Sequence, residues 1–377
     1  MKIPFNKPFL TGNETLYIEQ AVLSGKISGN GLFTKKCQRY FEKTYGFKKC
    51  LLTTSCTDAL EMCAILADIK EGDEVIIPSY TFVSTALPFI RQGAKVVFAD
   101  SYTDNPNIDA DLIEELINPK TKAIVPVHYA GVACDMTKIM HIAEKYNLIV
   151  IEDAAQAIDN FHIDNMGKKK ALGSIGHLAA FSFHETKNII SGEGGMLTIN
   201  DERFLARAEI IWEKGTNRSA FFRGEIDKYG WVDTGSSFLP SEIVSAFLWA
   251  QIENIAFIQD KRKKLWNKYY ELFSQGSYED IELPQIPAYS GNNAHMFYIT
   301  VVNSQKRDKI IKSLKDRNIL AVFHYISLHS SPYYKDKHDG RDLVNSDRFT
   351  NSLLRLPFFY DLTEDEVELI VEIILHT

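Results

Sequence analysis

Two kinds of apolar pattern alternate along this chain. Short runs that are apolar almost throughout recur at 50–54, 74–77, 95–98, 123–127, 148–151 and 196–199. Between them, apolar residues fall three or four apart, which predicts helices over 59–67, 81–91, 109–117, 135–146 and 203–212. Strands apolar on both faces and separated by helices predict a mostly parallel sheet covered on both sides. Ahead of the first strand, Thr11-Gly12-Asn13-Glu14 has the spacing of a capping box and opens a helix ending near Ser24-Gly25. A glycine-rich link, Ser28-Gly29-Asn30-Gly31, leads to a second helix over 33–45.

The pattern changes after residue 212. An irregular stretch over 213–240 is followed by one long helix, or two in series, over 242–272. A Pro/Gly/Asn-rich segment at 284–293 punctuates the fold. A strand over 295–302, a helix over 304–317 and a strand over 319–325 follow. A second capping box, Thr363-Glu364-Asp365-Glu366, opens a C-terminal helix. The expected organisation is α/β: a large domain over 1–250 built on the mostly parallel sheet, and a small α+β domain over 251–377.

Composition narrows the function classes. The 377 residues are 45% hydrophobic and 24% charged, ordinary values for a globular chain. A formal net charge of −7 argues against a general nucleic-acid binder. No leader-like apolar region opens the sequence and no run approaches a membrane span, so a cytoplasmic protein without membrane association is expected. The 5 cysteines (Cys37, Cys50, Cys56, Cys63 and Cys134) include no Cys-x-x-Cys pair, and the 10 histidines no His-Glu-x-x-His, so no metal site is expected. Gly29-Asn30-Gly31 begins like a dinucleotide fingerprint but lacks the third glycine and a preceding strand.

In a parallel sheet, ligands sit beyond the carboxyl ends of the strands. Ser55, Tyr80-Thr81-Phe82, His128 and Asp153 all fall just after predicted strands. Ser55 and Thr57 stand at a strand-to-helix turn, where free backbone N–H groups and the helix dipole favour an anion; either hydroxyl can equally be a plain N-cap. Asp153 at a strand end is costly without a cation or strong donors, and it too can be a helix cap. Ser182 closes an apolar run, Lys187 stands five residues on, and Gly192-Glu193-Gly194-Gly195 follows. Lys187 is either a solvated loop lysine or the amine that meets an aldehyde cofactor beside a phosphate. Pyridoxal phosphate needs a lysine, a carboxylate for its ring nitrogen, a phosphate cup and a stacking ring; Lys187, Asp153, the Ser55/Thr57 turn with Ser182, and Phe82 can fill those roles. The irregular stretch carries Lys214, Arg218, Arg223 and Lys228 among Phe221, Phe222, Tyr229 and Trp231. It suits a clamp on a nucleotide diphosphate or a subunit interface.

Pro78-Ser79-Tyr80-Thr81-Phe82-Val83-Ser84-Thr85, Glu152-Asp153-Ala154-Ala155-Gln156, Phe181-Ser182-Phe183-His184-Glu185-Thr186-Lys187-Asn188 and Gly192-Glu193-Gly194-Gly195 resemble the signature blocks of the DegT/DnrJ/EryC1/StrS aminotransferases. The resemblance covers essentially the whole chain. It implies the fold-type I, aspartate aminotransferase-like architecture and pyridoxal 5'-phosphate as cofactor. It implies that Lys187 forms the imine with the cofactor and that Asp153 partners its ring nitrogen. Gln156 would lie near the ring hydroxyl and Phe82 on the ring, with Ser182 and the Ser55-Cys56 backbone at the phosphate. It also implies a homodimer with shared active sites. Many relatives carry Gly-Tyr-Asn where this chain has Gly235-Ser236-Ser237, so Ser237 takes the place of an asparagine that reaches the partner's phosphate. Relatives that dehydrate sugars replace the lysine with histidine; Lys187 therefore favours transamination.

The implied reaction moves the amino group of L-glutamate to C4 of dTDP-4-keto-6-deoxy-D-glucose, giving dTDP-4-amino-4,6-dideoxy-D-galactose for a surface polysaccharide such as enterobacterial common antigen. A gluco-forming enzyme, or an aminase of another nucleotide sugar, is the alternative. His128, Arg218, Arg223 and Tyr325 are the candidate substrate-binding residues. A pyridoxal-phosphate-binding regulator would need a DNA-binding extension, and a nicotinamide oxidoreductase would need the missing fingerprint.

Overall fold

A computed structural model describes residues 2–276 and 278–377. Helices α1 (Glu14–Leu23) and α2 (Leu32–Tyr45) precede β1 (Lys49–Thr53) and α3 (Cys56–Leu66). Then come β2 (Glu74–Pro78), the short α4 (Leu87–Arg91), β3 (Lys95–Ala99), β4 (Thr121–Ile124), α5 (Met136–Tyr146) and β5 (Ile149–Asp153). A small hairpin, β6 (Phe161–Ile163) and β7 (Lys169–Ala171), leads to β8 (Leu178–Ser182) and β9 (Gly195–Ile199). Seven strands form one sheet in the order β1-β9-β8-β5-β4-β2-β3. Only β9 runs against its neighbours; the other pairings are parallel.

The continuous apolar runs are explained by two-sided burial. Along β2, Val75 and Ile77 enter one core cluster while Ile76 enters another across the sheet. Along β3, Val96 and Phe98 face the first and Val97 the second. Helices α3, α4 and α6 (Leu205–Trp212) supply Leu60, Phe89 and Ile211 to one layer, and α5 supplies Ile139 to the other.

The long stretch after α6 contains one short helix, α7 (Arg218–Phe222). Two helices then follow in series, α8 (Glu242–Glu253) and α9 (Ile255–Ser274), broken at Asn254. A second, antiparallel sheet has the order β10 (Ile281–Glu282), β11 (Tyr298–Val301), β13 (Leu353–Arg355), β12 (Val322–Phe323). Helices α10 (Ser304–Lys315), α11 (Val344–Ser352) and α12 (Glu364–Leu375) accompany it. Its core joins Leu265, Trp266, Tyr269 and Phe273 of α9 to Phe297, Ile299, Leu314, Leu354 and Ile370. Ile255 and Ile258, at the start of α9, still belong to a core cluster of the large sheet. We propose the domain division there. Ile3, expected within the large domain, lies in the second core, its amide bonded to Asn318 O at 3.0 Å.

Several elements differ from expectation. The stretch 81–91 is a single turn of 3₁₀-helix at Val83–Thr85 followed by α4, not one helix. The stretch 109–117 is two 3₁₀ turns: its apolar residues Ala110, Ile113 and Leu116 recur every three positions, the 3₁₀ period. Strand β12 is only two residues long because the chain turns at Tyr325, whose φ is 50°. Helix α11 and strand β13 were not expected at all.

Of the two capping boxes, Thr363 and Glu366 make both reciprocal bonds. Glu14 instead begins α1, and its carboxylate accepts from Thr11 N at 2.8 Å, Gly12 N at 2.9 Å and Gln251 Nε2 at 2.7 Å. It fastens the preceding segment to α8 rather than capping a helix. Glu242 of α8 plays a similar part for α2. Its buried carboxylate accepts from Gly31 N at 2.9 Å, Phe33 N at 2.7 Å, Thr34 N at 3.1 Å and the Thr34 hydroxyl. It thereby satisfies N–H groups that α2 cannot bond internally. Replacing Glu242 with Ala strands these donors, so we expect a loss of about 3–5 kcal/mol. A lowered urea midpoint of the cofactor-free protein is the measurement.

Candidate active site

The carboxyl ends of β1, β2, β5 and β8 open onto one cavity of about 840 Å³, closed from the other side by residues near β12 and β13. Beyond β1, Ser55 caps α3: its hydroxyl accepts from Asp58 N at 3.0 Å. The capping role is therefore real. It leaves the first N–H groups of α3, at Cys56 and Thr57, unpaired within the helix and beside the cavity. Register sets Gly195 of β9 between Thr53 and Ser182. A Cβ on Gly195 would lie 2.3 Å from the Ser55 carbonyl carbon and 2.4 Å from Cys56 N. Glycine is required for β9 to pass this close beneath the helix start. Ser182 borders the same corner, its oxygen 3.4 Å from His184 N.

At the carboxyl end of β5, Asp153 is buried. Its carboxylate accepts from the Thr85 hydroxyl at 2.8 Å and from Ala155 N at 3.2 Å. Thr85 in turn meets the Thr81 hydroxyl at 2.8 Å, so the 3₁₀ turn after β2 that carries Phe82 also holds Asp153. Burial pushes the Asp153 carboxyl above the usual aspartate range, against the Thr85 and Ala155 bonds and the nearby Lys187. A cation placed there would restore ionisation. Phe82 stays 55% exposed on the cavity wall, its ring 6.1 Å from that of Tyr325. Gln156 accepts from Ala130 N at 2.7 Å and donates to the Tyr325 hydroxyl at 3.1 Å.

Lys187 follows β8 on a tight turn in which its amide bonds His184 O at 2.9 Å. His184 has a structural part in this turn: its Nδ1 accepts from Thr186 N at 3.3 Å. Burial pushes the Lys187 ammonium below the ordinary lysine value, and the Arg355 charge adds to the push. A larger share of free amine follows. Lys187 and Asp153 line the same cavity and influence each other only through space. The Cys56 thiol is pushed well up by burial and stays protonated at neutral pH.

The opposite wall was not foreseen, apart from Tyr325. His295, His324 and Arg355 stand there. Asn188 Nδ2 donates to Gln259 Oε1 and to Asn293 O, both at 2.8 Å, so its Oδ1 is an acceptor. His295 Nδ1, 2.7 Å from that oxygen, must carry the proton, which leaves Nε2 as a bare acceptor. Burial keeps both His295 and His324 neutral. Arg355 lies in an apolar Leu-Leu-Arg-Leu run, and that lone charge is the sequence signal that could have found it.

The remaining candidates are not brought to this cavity. His128 is wholly buried behind the sheet, with Nε2 2.9 Å from Glu152 and Nδ1 accepting from Cys134 N at 3.1 Å. Glu152 also accepts from Gly173, Ile175 and Gly176 N–H groups, so the pair fastens a loop and has no face for a substrate. Arg223 pairs with Glu209 at 2.9 Å and Glu225 at 2.7 Å, and Arg218 covers the Phe222 ring at 5.1 Å. Both lie in the long loop, away from the cavity of their own chain, as does Ser237, which bridges to Glu213.

The residues present fit pyridoxal phosphate. A half-buried amine and a buried carboxylate share a cavity without bonding to one another, and a helix start with free N–H groups is left accessible by a glycine. The fold and this set of groups define a pyridoxal-phosphate-dependent aminotransferase of fold-type I. Over residues 9–375 the chain matches the DegT/DnrJ/EryC1/StrS aminotransferase family, and it belongs to that family. It is a sugar aminotransferase. It is 31% identical to the spore coat polysaccharide biosynthesis protein SpsC of Bacillus subtilis, over 98% of this chain and 95% of that one. Among solved structures it resembles the putative sugar aminotransferase Spr1654 of Streptococcus pneumoniae in its PLP form, at 25% identity and a TM-score of 0.89 over 99% of this chain and 98% of that one. It shares its fold with Helicobacter pylori PseC, an aminotransferase involved in the biosynthesis of pseudoaminic acid, at 24% identity and a TM-score of 0.89, over 100% and 99% of the two chains.

Gly195→Ala should displace the Ser55-Cys56 turn. Pyridoxal phosphate binding, followed by fluorescence titration of the cofactor-free protein, should weaken by about tenfold or more, a cost of roughly 1.4 kcal/mol.

Proposed function

We propose that this protein transfers the amino group of L-glutamate to C4 of dTDP-4-keto-6-deoxy-D-glucose and releases dTDP-4-amino-4,6-dideoxy-D-galactose. The observation that carries the reaction class is the presence of a half-buried amine, Lys187, and a buried carboxyl, Asp153, in one cavity without a bond between them. Pyridoxal phosphate, when bound there, supplies an aldehyde that carries the amine and a ring that draws electrons from the reacting carbon. The α3 start with Ser182 would hold its phosphate, Asp153 its ring nitrogen, Gln156 its ring hydroxyl and Phe82 its face. Lys187 Nζ takes the proton from the donor carbon and returns it, general acid–base work worth about 10²–10⁴-fold. Its lowered pKa raises the share of free amine available for that work.

Two features support the sugar. Segments such as Pro126-Val127-His128-Tyr129-Ala130-Gly131 and Ala321-Val322-Phe323-His324-Tyr325-Ile326 resemble those of dTDP-4-amino-4,6-dideoxygalactose transaminase. The cavity wall also offers exposed Val83, Phe323 and Ile326, apolar surface suited to the methyl group of a 6-deoxy sugar. In the proposed homodimer, the long loop of one subunit would reach its partner's site. Trp231, 84% exposed, and the exposed Phe222 and Tyr229 of the same loop are the side chains that would be covered there.

Borohydride treatment of the loaded protein should fix a phosphopyridoxyl group on the peptide containing Lys187. Lys187→Ala should carry no such group and should lose turnover by at least about 10²-fold; an undiminished rate would sink the role of Lys187. NMR of the product made from L-glutamate and dTDP-4-keto-6-deoxyglucose should show an axial C4 amine. An equatorial amine would overturn the galacto assignment.

A further inference from the structure

His295 borders the cavity that holds Lys187, yet the proposed reaction gives it no task. It lies just before β11 and is held from several sides. Its carbonyl accepts from Arg262 Nη2 at 2.6 Å, and its amide donates to Asn293 Oδ1 at 3.2 Å. Its ring is held through Nδ1 by Asn188, the residue after Lys187. That hold is itself braced. Gln259 donates through Nε2 to Asp159 at 3.4 Å, so its Oε1 is the atom that accepts from Asn188 Nδ2. The Asn188 amide therefore cannot turn over, and the imidazole proton stays on Nδ1. A lone pair on Nε2 is the fixed result. Arg355 Nε is sealed without a partner, whereas His295 Nε2 is unbonded among the described residues but reachable. Only 4% of the residue is exposed, so a molecule in the cavity is what can reach that nitrogen.

A fixed lone pair calls for a donor. The titratable groups that act on the ring are Lys187, Arg262, Arg355 and the neutral His324. Burial first, and then the charges of Lys187, Arg262 and Arg355, hold the imidazole well below the ordinary histidine value, so it stays an acceptor at neutral pH. A further ammonium would be repelled there, whereas a hydroxyl is a donor without charge. A keto sugar brings hydroxyls. Its C4 must come to the amine carried beside Lys187, and two ring carbons flank C4. C5 bears the methyl group, for which the apolar Val83, Phe323 and Ile326 are available. C3 bears a hydroxyl, one bond from the carbon beside the reacting one. We propose that His295 Nε2 accepts a hydrogen bond from the C3 hydroxyl, and so makes the enzyme selective for a sugar with a hydroxyl next to its keto carbon. This rests on the reading that a 4-keto-6-deoxy sugar receives the amine. Asn188 is then a positioning residue that acts through the imidazole. A deoxy sugar would cover the lone pair without meeting it, and a buried acceptor left unmet is costly.

The test uses protein loaded with pyridoxamine phosphate, in single-turnover reactions with dTDP-4-keto-6-deoxy-D-glucose and with its 3-deoxy analogue. The wild-type protein should favour the hydroxylated sugar on the order of 10²-fold in second-order rate constant. His295→Leu should lose about that factor with the hydroxylated sugar and less than about threefold with the analogue, so the preference collapses. His295→Gln, whose amide oxygen can stand near the place of Nε2, should recover part of it. The glutamate half of the reaction involves no such hydroxyl, and both variants should hold it within about threefold. Calorimetry on the cofactor-free protein gives a reading independent of turnover. The 4-amino product should bind the wild-type protein more tightly than its 3-deoxy counterpart does, and the two should bind His295→Leu alike. Equal losses on the two sugars, or a glutamate half slowed as much as the sugar half, would overturn the inference and make His295 a support for Lys187. A wild-type protein that aminates a different sugar would refute the dTDP-4-keto-6-deoxyglucose assignment instead. That sugar, compared with its analogue lacking the hydroxyl beside the keto carbon, then decides the role of His295.

Discussion

Lys187 and Asp153 lie in one cavity with opposite charges, and the structure keeps them from meeting. Left free, an ammonium and a carboxylate in one cavity would collapse into a pair and close the space between them. Asp153 is instead tied back by the Thr85 hydroxyl and Ala155 N–H, at the end of a strand that cannot shift without disturbing its neighbours. Lys187 is fixed by a turn whose amides are bonded within it. The sheet therefore stores electrostatic work: each charge stays poorly compensated until a ligand with both a positive ring nitrogen and an aldehyde enters. The whole large domain is arranged to keep that gap open.

The second requirement is closeness at the corner where β9 passes under the start of α3, the place we propose for the phosphate. There the determinant is an absence of side chain. Gly195 lets an antiparallel strand slide under the start of α3, and the strand that makes the sheet mixed is the one that needs the glycine. The small domain supplies the remaining wall with neutral histidines and one unpaired guanidinium. Two chemically different walls thus face each other, one suited to the cofactor and one to the molecules that react with it.

The large domain and its half of the site were legible in the sequence because both follow from strand ends. Apolar runs locate the strands; Ser55 and Phe82 sit past their ends, and Asp153 and Ser182 are the last residues of β5 and β8. The same rule misplaced His128. It follows β4 as the others follow their strands, but extended residues alternate faces, so Val127 meets the cavity and His128 turns behind it to Glu152. Arg355 could not be placed because its strand is three residues long and ends against Pro357, too short for any period to register. The 3₁₀ turns at 109–117 were read as a helix because apolar spacings of three serve both. Arg218 and Arg223 show the limit of composition: the charges were visible, but their acidic and aromatic partners are matters of folding.

The pairing of the N-terminal segment with the small domain has a consequence for how the chain acquires its shape. Ile3 bonds to Asn318 and Leu320, and Phe5 O accepts from Phe358 N at 3.2 Å, so residues made early complete their contacts only with residues made much later. On the ribosome, the segment around Ile3 must stay unpaired until the small core, more than a domain away in sequence, has been made. Loop closure over so long a span is slow. The large sheet, whose contacts are more local, can form ahead of it. The wall bearing Arg355 would then be the last part of the cavity to take shape, after the residues at the strand ends of the large sheet are already in place.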